Sequence, residues 1–256
     1  MTATLIHGDC LDVMATLDAG SVDLILADLP YGTTACKWDT VIPFALLWES
    51  YRRLLKPRGA VVLTASQPFT SALVMSNPDW FKYCWVWEKT RPGDVFNAKN
   101  KPLKVHEDIC VFSPGTTANC SPRRMTYNPV GVKSGGVPAS NPRRPSSFMS
   151  PRPSHLATHV TLGTGYPTSI VRISNPNHKS VHPTQKPVEL MEYLVRTYTD
   201  PEMVVLDNCM GSGTTGIACA NLGREFIGVE REAEYFGRAE TRIRAAEQAN
   251  AELLFA

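Results

Sequence analysis

The chain has 256 residues and a net charge of +2, long enough to bury a core of its own as one domain with a sizeable insertion or as two small ones. No charged-then-apolar leader opens it and no apolar run approaches the roughly 20 residues of a membrane helix, so a cytoplasmic protein is expected. Its seven cysteines are odd in number and include no C-x-x-C pair, which argues against a disulfide framework and against a zinc site.

Short β-branched runs alternate with helical patterns, the mark of an α/β fold with a largely parallel sheet. Seven strands are predicted, over residues 3–9, 22–28, 59–65, 83–89, 108–113, 203–208 and 225–230. The first helical pattern, PFALLWESYRRLLKPRG, has apolar residues at helical spacing and ends in Lys56, Pro57 and Gly59, which stop helices. PVELMEYLVRTY and the long EAEYFGRAETRIRAAEQANAELL read the same way. Trp80, Trp85 and Trp87 flank or occupy a predicted strand and are assigned to the core. His106, His178 and His182 have no neighbours at ligand spacing, so no metal site is expected.

Between 114 and 180 the texture changes to Pro, Gly, Ser, Asn and Arg with little periodicity. That segment holds Arg123, Arg124, Lys133, Arg143, Arg144, Arg152, Arg172 and Lys179 and no acidic residue, so a total of +2 conceals +8 here and −6 elsewhere. A stretch of one sign suits phosphate neutralisation, since each Lys or Arg can displace a counterion from a nucleic acid. A solvated, Pro-rich linker that orders only on its partner has the same composition. DNA contact is the reading favoured, through Arg123, Arg124, Lys133, Arg143, Arg144 and Arg152.

LDNCMGSGTTG (206–216) follows a predicted strand and opens a predicted helix. Gly211, Gly213 and Gly216 satisfy G-x-G-x-x-G, and Glu230 ends the next strand 19 residues after Gly211, where an acid meets ribose hydroxyls. Taken alone, the pattern suggests a nicotinamide or flavin enzyme. Only one strand remains after the loop, however, so strands from the beginning of the chain must complete the sheet. Asp207 also lies at the strand end, where it would repel a phosphate and attract a cationic amino-acid group. S-adenosylmethionine, with a ribose, an ammonium and no phosphate, fits better than a dinucleotide. A phosphate loop of the GK[ST] type is absent.

DLPYG (28–32) stands where the apolar run VDLILA ends. By itself it reads as a turn, since Asp, Pro and Gly all form turns. Beside the glycine loop and the basic segment it reads as a site for an exocyclic amine. Such an amine is a poor nucleophile because its lone pair is delocalised into the ring. The Asp28 carboxylate, accepting one amino hydrogen, and a carbonyl of Leu29 or Pro30, accepting the other, would draw the nitrogen towards sp³ geometry and free the pair for attack on a sulfonium methyl. Pro30 stiffens the loop, Tyr31 offers a stacking face to a base that has left the duplex, and Gly32 permits close approach.

These residues resemble the DNA amino-methyltransferases whose motifs run in permuted, β-class order. DLPYG is similar to their D-P-P-Y, LDNCMGSGTTG to their cofactor loop, HPTQKPVELM (182–191) to the stretch before that loop, and LKVHEDICVFS (103–113) to their last sheet hairpin. The resemblance implies a circularly permuted, Rossmann-like, seven-stranded sheet of the class I methyltransferase type. Residues 1–113 and 181–256 would form the catalytic and cofactor-binding domain, with 114–180 as the target-recognition insertion. It implies that Asp9, with Cys10 beside it, contacts the cofactor's adenine, that Thr184 and Lys186 lie near its methionine carboxylate, and that Asp207, Gly211, Gly213, Thr214 and Glu230 complete the cofactor set. Aspartate rather than serine at 28 marks adenine N6, and double-stranded DNA with a flipped base is the implied partner. A homodimer is suggested by the resemblance alone. Leu29 departs from the first proline of D-P-P-Y, and Asn208 and Cys209 from the family's frequent Pro-Phe. N4-cytosine methylation on the same scaffold, a non-catalytic DNA-binding relative and a nicotinamide oxidoreductase are the alternatives.

Overall fold

In the computed structural model, which describes residues 3–34, 36, 39–93, 95–134, 163–175 and 185–254, the first and last strands of the chain lie side by side. In chain order the elements are β1 (Ala3–His7), α1 (Cys10–Thr16), β2 (Val22–Ala27), α2 (Phe44–Leu54), β3 (Leu55–Ala65), α3 (Phe69–Ser76), β4 (Phe81–Gly93) and β5 (Lys104–Phe112). Then come β6 (Lys133–Ser134), β7 (Gly163–Thr164), β8 (Ile170–Ile173), α4 (Val188–Tyr198), β9 (Val204–Asp207), α5 (Thr214–Leu222), β10 (Glu225–Glu230) and α6 (Ala233–Leu254). The main sheet has the order β1-β10-β9-β2-β3-β5-β4-β8. It is parallel from β1 to β3 and between β4 and β8, with β5 antiparallel to both of its neighbours.

The central strand shows why the parallel half forms. Every residue of β2 is buried, as expected of a strand covered by helices on both faces. Leu24 and Leu26 pack towards one core and Ile25 and Ala27 towards the other. Fully burying a Leu or Ile side chain contributes about 1.5–3 kcal/mol, so this run is a large part of what fixes the strand. Asp23, the one charge in β2, is matched by Lys56 Nζ at 2.7 Å and the Val204 amide at 3.0 Å.

All seven predicted strands are present, and two differences stand out. β3 begins at Leu55, before the Lys56, Pro57 and Gly59 stop signals, because its register with β2 jumps from Val22–Leu55 to Leu24–Ala60 and the intervening residues bulge. An eighth strand, β8, lies inside the stretch read as one irregular insertion: it alternates exposed and buried residues and pairs with β4. Four residues with one charge are too short to stand out from the surrounding Pro-rich texture. The chain divides into two compact units, Met1–Asn128 with Ser169–Ala256, and Pro129–Thr168. The described residues of the second, 129–134 and 163–168, include the antiparallel pair β6–β7.

Candidate active site

Four neighbouring parallel strands, β1, β10, β9 and β2, end along one edge of the sheet, where open α/β sheets place their ligands. A cavity of about 540 Å³ opens there, lined by Asp9 and Cys10 after β1, Asp28 to Tyr31 after β2, Asp207 to Ser212 after β9, and Glu230 of β10. The sequence had to bring these segments from both ends of the chain, and the parallel sheet does so by placing every strand's carboxyl end on the same side.

On one side of the cavity Asp28 is densely engaged. Tyr31 donates its hydroxyl to Asp28 Oδ1 at 2.7 Å, Thr64 donates to the same oxygen, and Lys186 Nζ lies 2.6 Å from Oδ2. Lys186 also faces Glu107 Oε2 at 3.4 Å, while Lys89 holds Glu107 Oε1. Burial works against the Lys186 charge, but Asp28 and Glu107 together keep its ammonium above the usual lysine range. Tyr31 stacks on Phe69 with ring centroids 4.9 Å apart. Burial, then the charges of Asp28 and Glu107, push its phenol well up, so it stays a neutral donor. Leu29 is buried in the core cluster below, which anchors the loop in place of the missing proline. The chain beyond is fixed by Asp39, whose carboxylate accepts the amides of Gly32, Thr33 and Thr34 at 2.8, 2.9 and 2.7 Å. Burial raises the Asp39 carboxyl, but these amides and the Thr34 hydroxyl outweigh it and hold the group below its ordinary range.

The other side offers an open carboxylate and a glycine turn. Asp207 is buried, accepts the Cys209 amide at 3.1 Å, and has no ion-pair partner among the described residues. Burial is the main cause that pushes its carboxyl up to about 7. The glycines serve different needs. Gly213 has φ of +78° at the start of α5, and a Cβ on Gly216 would come within 2.8 Å of Phe226 and Ile243. Over Gly211 there is open space, bounded by a bond from its amide to Glu230 Oε2 at 2.9 Å. Glu230 also accepts the Glu232 amide through Oε1 at 2.8 Å, and Asp9 caps α1 through the Leu11 amide at 2.9 Å. Both acids therefore brace the backbone as well as line the cavity. Thr214 lines it from the first turn of α5. Room of this size, a buried carboxylate without a cation and an acid beside a glycine turn suit S-adenosylmethionine.

Residues 22–241 match the N6/N4 DNA methylase family. The chain belongs to that family. The type II methyltransferase M.HinfI of Haemophilus influenzae is 28% identical over 267 residues, covering 94% of this chain and 68% of that protein. The structure of M1.HpyAVI in complex with SAM superposes with a TM-score of 0.61 at 25% identity, covering 94% of this chain and 100% of that one. The PvuII cytosine-N4-specific DNA methyltransferase shares the fold at a TM-score of 0.68 and 15% identity, covering 98% and 93%. The chain is thus a DNA methyltransferase dependent on S-adenosylmethionine, on a class I α/β fold.

Within this DNA methylase the other expected residues fall in different places. Lys186, expected near the cofactor's methionine carboxylate, lines the cavity from the segment just before α4, where it faces Asp28 and Glu107. Arg123 and Arg124 are not at the cavity. The Arg124 carbonyl accepts from Arg58 Nε at 3.0 Å, and the Arg58 carbonyl from the Thr126 amide at 2.9 Å, near the start of β3. Asp28 meets Thr64 six residues on, roughly 20 Å away at about 3.3 Å per residue. Arg172 is held by Glu88 in a two-bonded pair of 3.0 and 2.6 Å. Lys133 is exposed on β6 in the second unit. Thr184, Arg143, Arg144 and Arg152, with Lys179, His178 and His182, lie outside the described residues. Trp85 and Trp87 are buried as expected, and Trp87 also forms cavity wall. Thr64, Glu107 and Asp39 were missed. The acid at 107 had a signal in its motif, whereas Thr64 and Asp39 look like any strand or loop residue.

Proposed function

We propose that the enzyme methylates adenine N6 in double-stranded DNA at a specific site. The observation that carries this reading is Asp28, a carboxylate rather than a hydroxyl at the centre of the catalytic loop. S-adenosylmethionine supplies an electrophilic methyl group on a sulfonium. Asp28 accepts one amino hydrogen of a base swung out of the duplex, and the Leu29 or Pro30 carbonyl accepts the other. Tyr31 aims Asp28 through its hydroxyl and offers its ring to the base. Asp207 binds the cofactor's ammonium, Glu230 its ribose, and the segment around Asp9 and Cys10 its adenine. Gly211, Gly213 and Thr214 shape the turn on which it lies.

For the DNA backbone, the reading rests on the second unit, with Lys133, Arg143, Arg144 and Arg152, and on the hairpin between β4 and β5. That hairpin leaves the sheet at the same end as Asp28 and carries Arg91, Lys99, Lys101 and Lys104 against Asp94. Phe96 on it is 98% exposed. The second reading, N4-cytosine, has the PvuII likeness in its favour. Incubating the protein with S-adenosylmethionine and unmethylated genomic DNA, then weighing the digested nucleosides, decides. N6-methyladenine supports the proposal, N4-methylcytosine overturns it, and no methylated base points to a relative that has lost turnover.

A further inference from the structure

Two carboxylates share one lysine beside the catalytic loop. Lys186 Nζ lies 2.6 Å from Asp28 Oδ2 and 3.4 Å from Glu107 Oε2. Glu107 Oε2 is buried and, although Lys186 pairs with it by charge, accepts no hydrogen bond among the described residues, a shortfall that a closer approach of that ammonium would remove. Asp28 has the opposite problem. A carboxylate offers about four lone-pair sites, and Tyr31, Thr64 and Lys186 take three of them. The amine that Asp28 must polarise gains positive charge as its new bond to carbon forms, and an ammonium resting on the same carboxylate opposes that charge.

We propose that Lys186 is a movable positioning residue that masks Asp28 until the target base enters and then passes its ion pair to Glu107 Oε2. The inference rests on the methyl-transfer reading above. A rotation of the lysine side chain suffices, because the two acceptors flank the same ammonium. No covalent bond changes and the lysine keeps its proton. Lys89 on Glu107 Oε1 holds the receiving carboxylate still, and the exchange turns the 3.4 Å ion pair at Glu107 Oε2 into the hydrogen bond it lacks.

A double-mutant cycle of Glu107→Gln and Lys186→Met tests this by single-turnover methylation of genomic DNA at saturating S-adenosylmethionine. Cofactor affinity measured by calorimetry serves as the control for folding. Glu107→Gln should strand Lys186 on Asp28 and slow the step by about tenfold or more, with cofactor affinity little changed. Adding Lys186→Met should make the double variant faster than Glu107→Gln alone, an outcome that a purely structural pair does not give. A Glu107→Gln variant as fast as wild type, or a double variant no faster than Glu107→Gln, overturns the exchange while leaving the functional reading intact. A wild-type protein that methylates nothing overturns both. If Glu107→Gln does not fold, the wild-type protein crystallised on a duplex containing its methylated site decides. Lys186 Nζ within about 3 Å of Glu107 Oε2 supports the exchange, and Lys186 still on Asp28 overturns it.

Discussion

Asp28 and Asp207 end neighbouring strands and line one cavity, yet the chain completes one of them and leaves the other open. Asp28 has a lysine at 2.6 Å and two hydroxyls on its other oxygen. Asp207 has a backbone amide and is pushed up to about 7, chiefly by burial. The difference separates two tasks. On the proposed roles, the carboxylate that accepts from a neutral amine is given a cation by the chain itself, whereas the one that captures a cation is left for the ligand to neutralise.

The strongest break is Asp28→Ala, which should lower the methylation rate by about 10²–10³-fold, the range found when one oriented polar partner of a reacting group is lost. Calorimetry should show cofactor binding preserved, and loss of both would erase the contrast between the two aspartates. Next, Asp207→Asn should weaken S-adenosylmethionine by about 10–100-fold, since a hydrogen bond to a charged partner is worth roughly 1.5–3 kcal/mol. The sign of its pH dependence follows from a folded-state value raised from 3.8 to about 7. Without cofactor, this group's contribution to stability is fully present below the ordinary carboxylate range and lost as the pH rises through about 7. The cofactor's ammonium prefers the ionised form, so wild-type affinity should rise across the same interval while Asp207→Asn stays flat.

How much of this was legible from residues alone differs between the two sides. The cofactor loop announces itself because its glycines are demanded by backbone geometry: a left-handed turn at Gly213 and a helix pressed on Phe226 at Gly216 leave no room for other residues. The surroundings of Asp28 were only half readable. DLPY is local, but Thr64, Glu107 and Lys186 reach it from β3, β5 and the segment just before α4, and such convergence is set by sheet order. For the same reason a basic segment read as one block proved to be in several places. Arg124 packs near the start of β3 and Arg172 pairs across β8 and β4. Charge composition reports sign and not position.

Two smaller effects sharpen the contrast further. Asp39→Ala leaves three amides without their acceptor and should cost about 1–3 kcal/mol in denaturant unfolding. Because the Asp39 carboxyl is held below its ordinary value, its contribution is present above the ordinary range and lost as the pH falls through the lowered one. Acid unfolding curves of the variant and wild type should therefore converge at low pH. Phe96→Ala, which removes an exposed ring from the hairpin proposed to face DNA, should change least, raising the KM for DNA only a few-fold with the cofactor's KM unchanged.

The pairing of Ala3 with Phe226 also sets a timetable for synthesis. At about 5–20 residues per second the ribosome delivers β10 on the order of 10–45 s after β1, and until then β1 lacks its hydrogen-bonding neighbour in the sheet. The catalytic loop is made early, but the residues of its cofactor shelf, 207–230, arrive within the last fifth or so of the chain. A nascent chain stalled before that point has an Asp28 and no methyl donor to present to it.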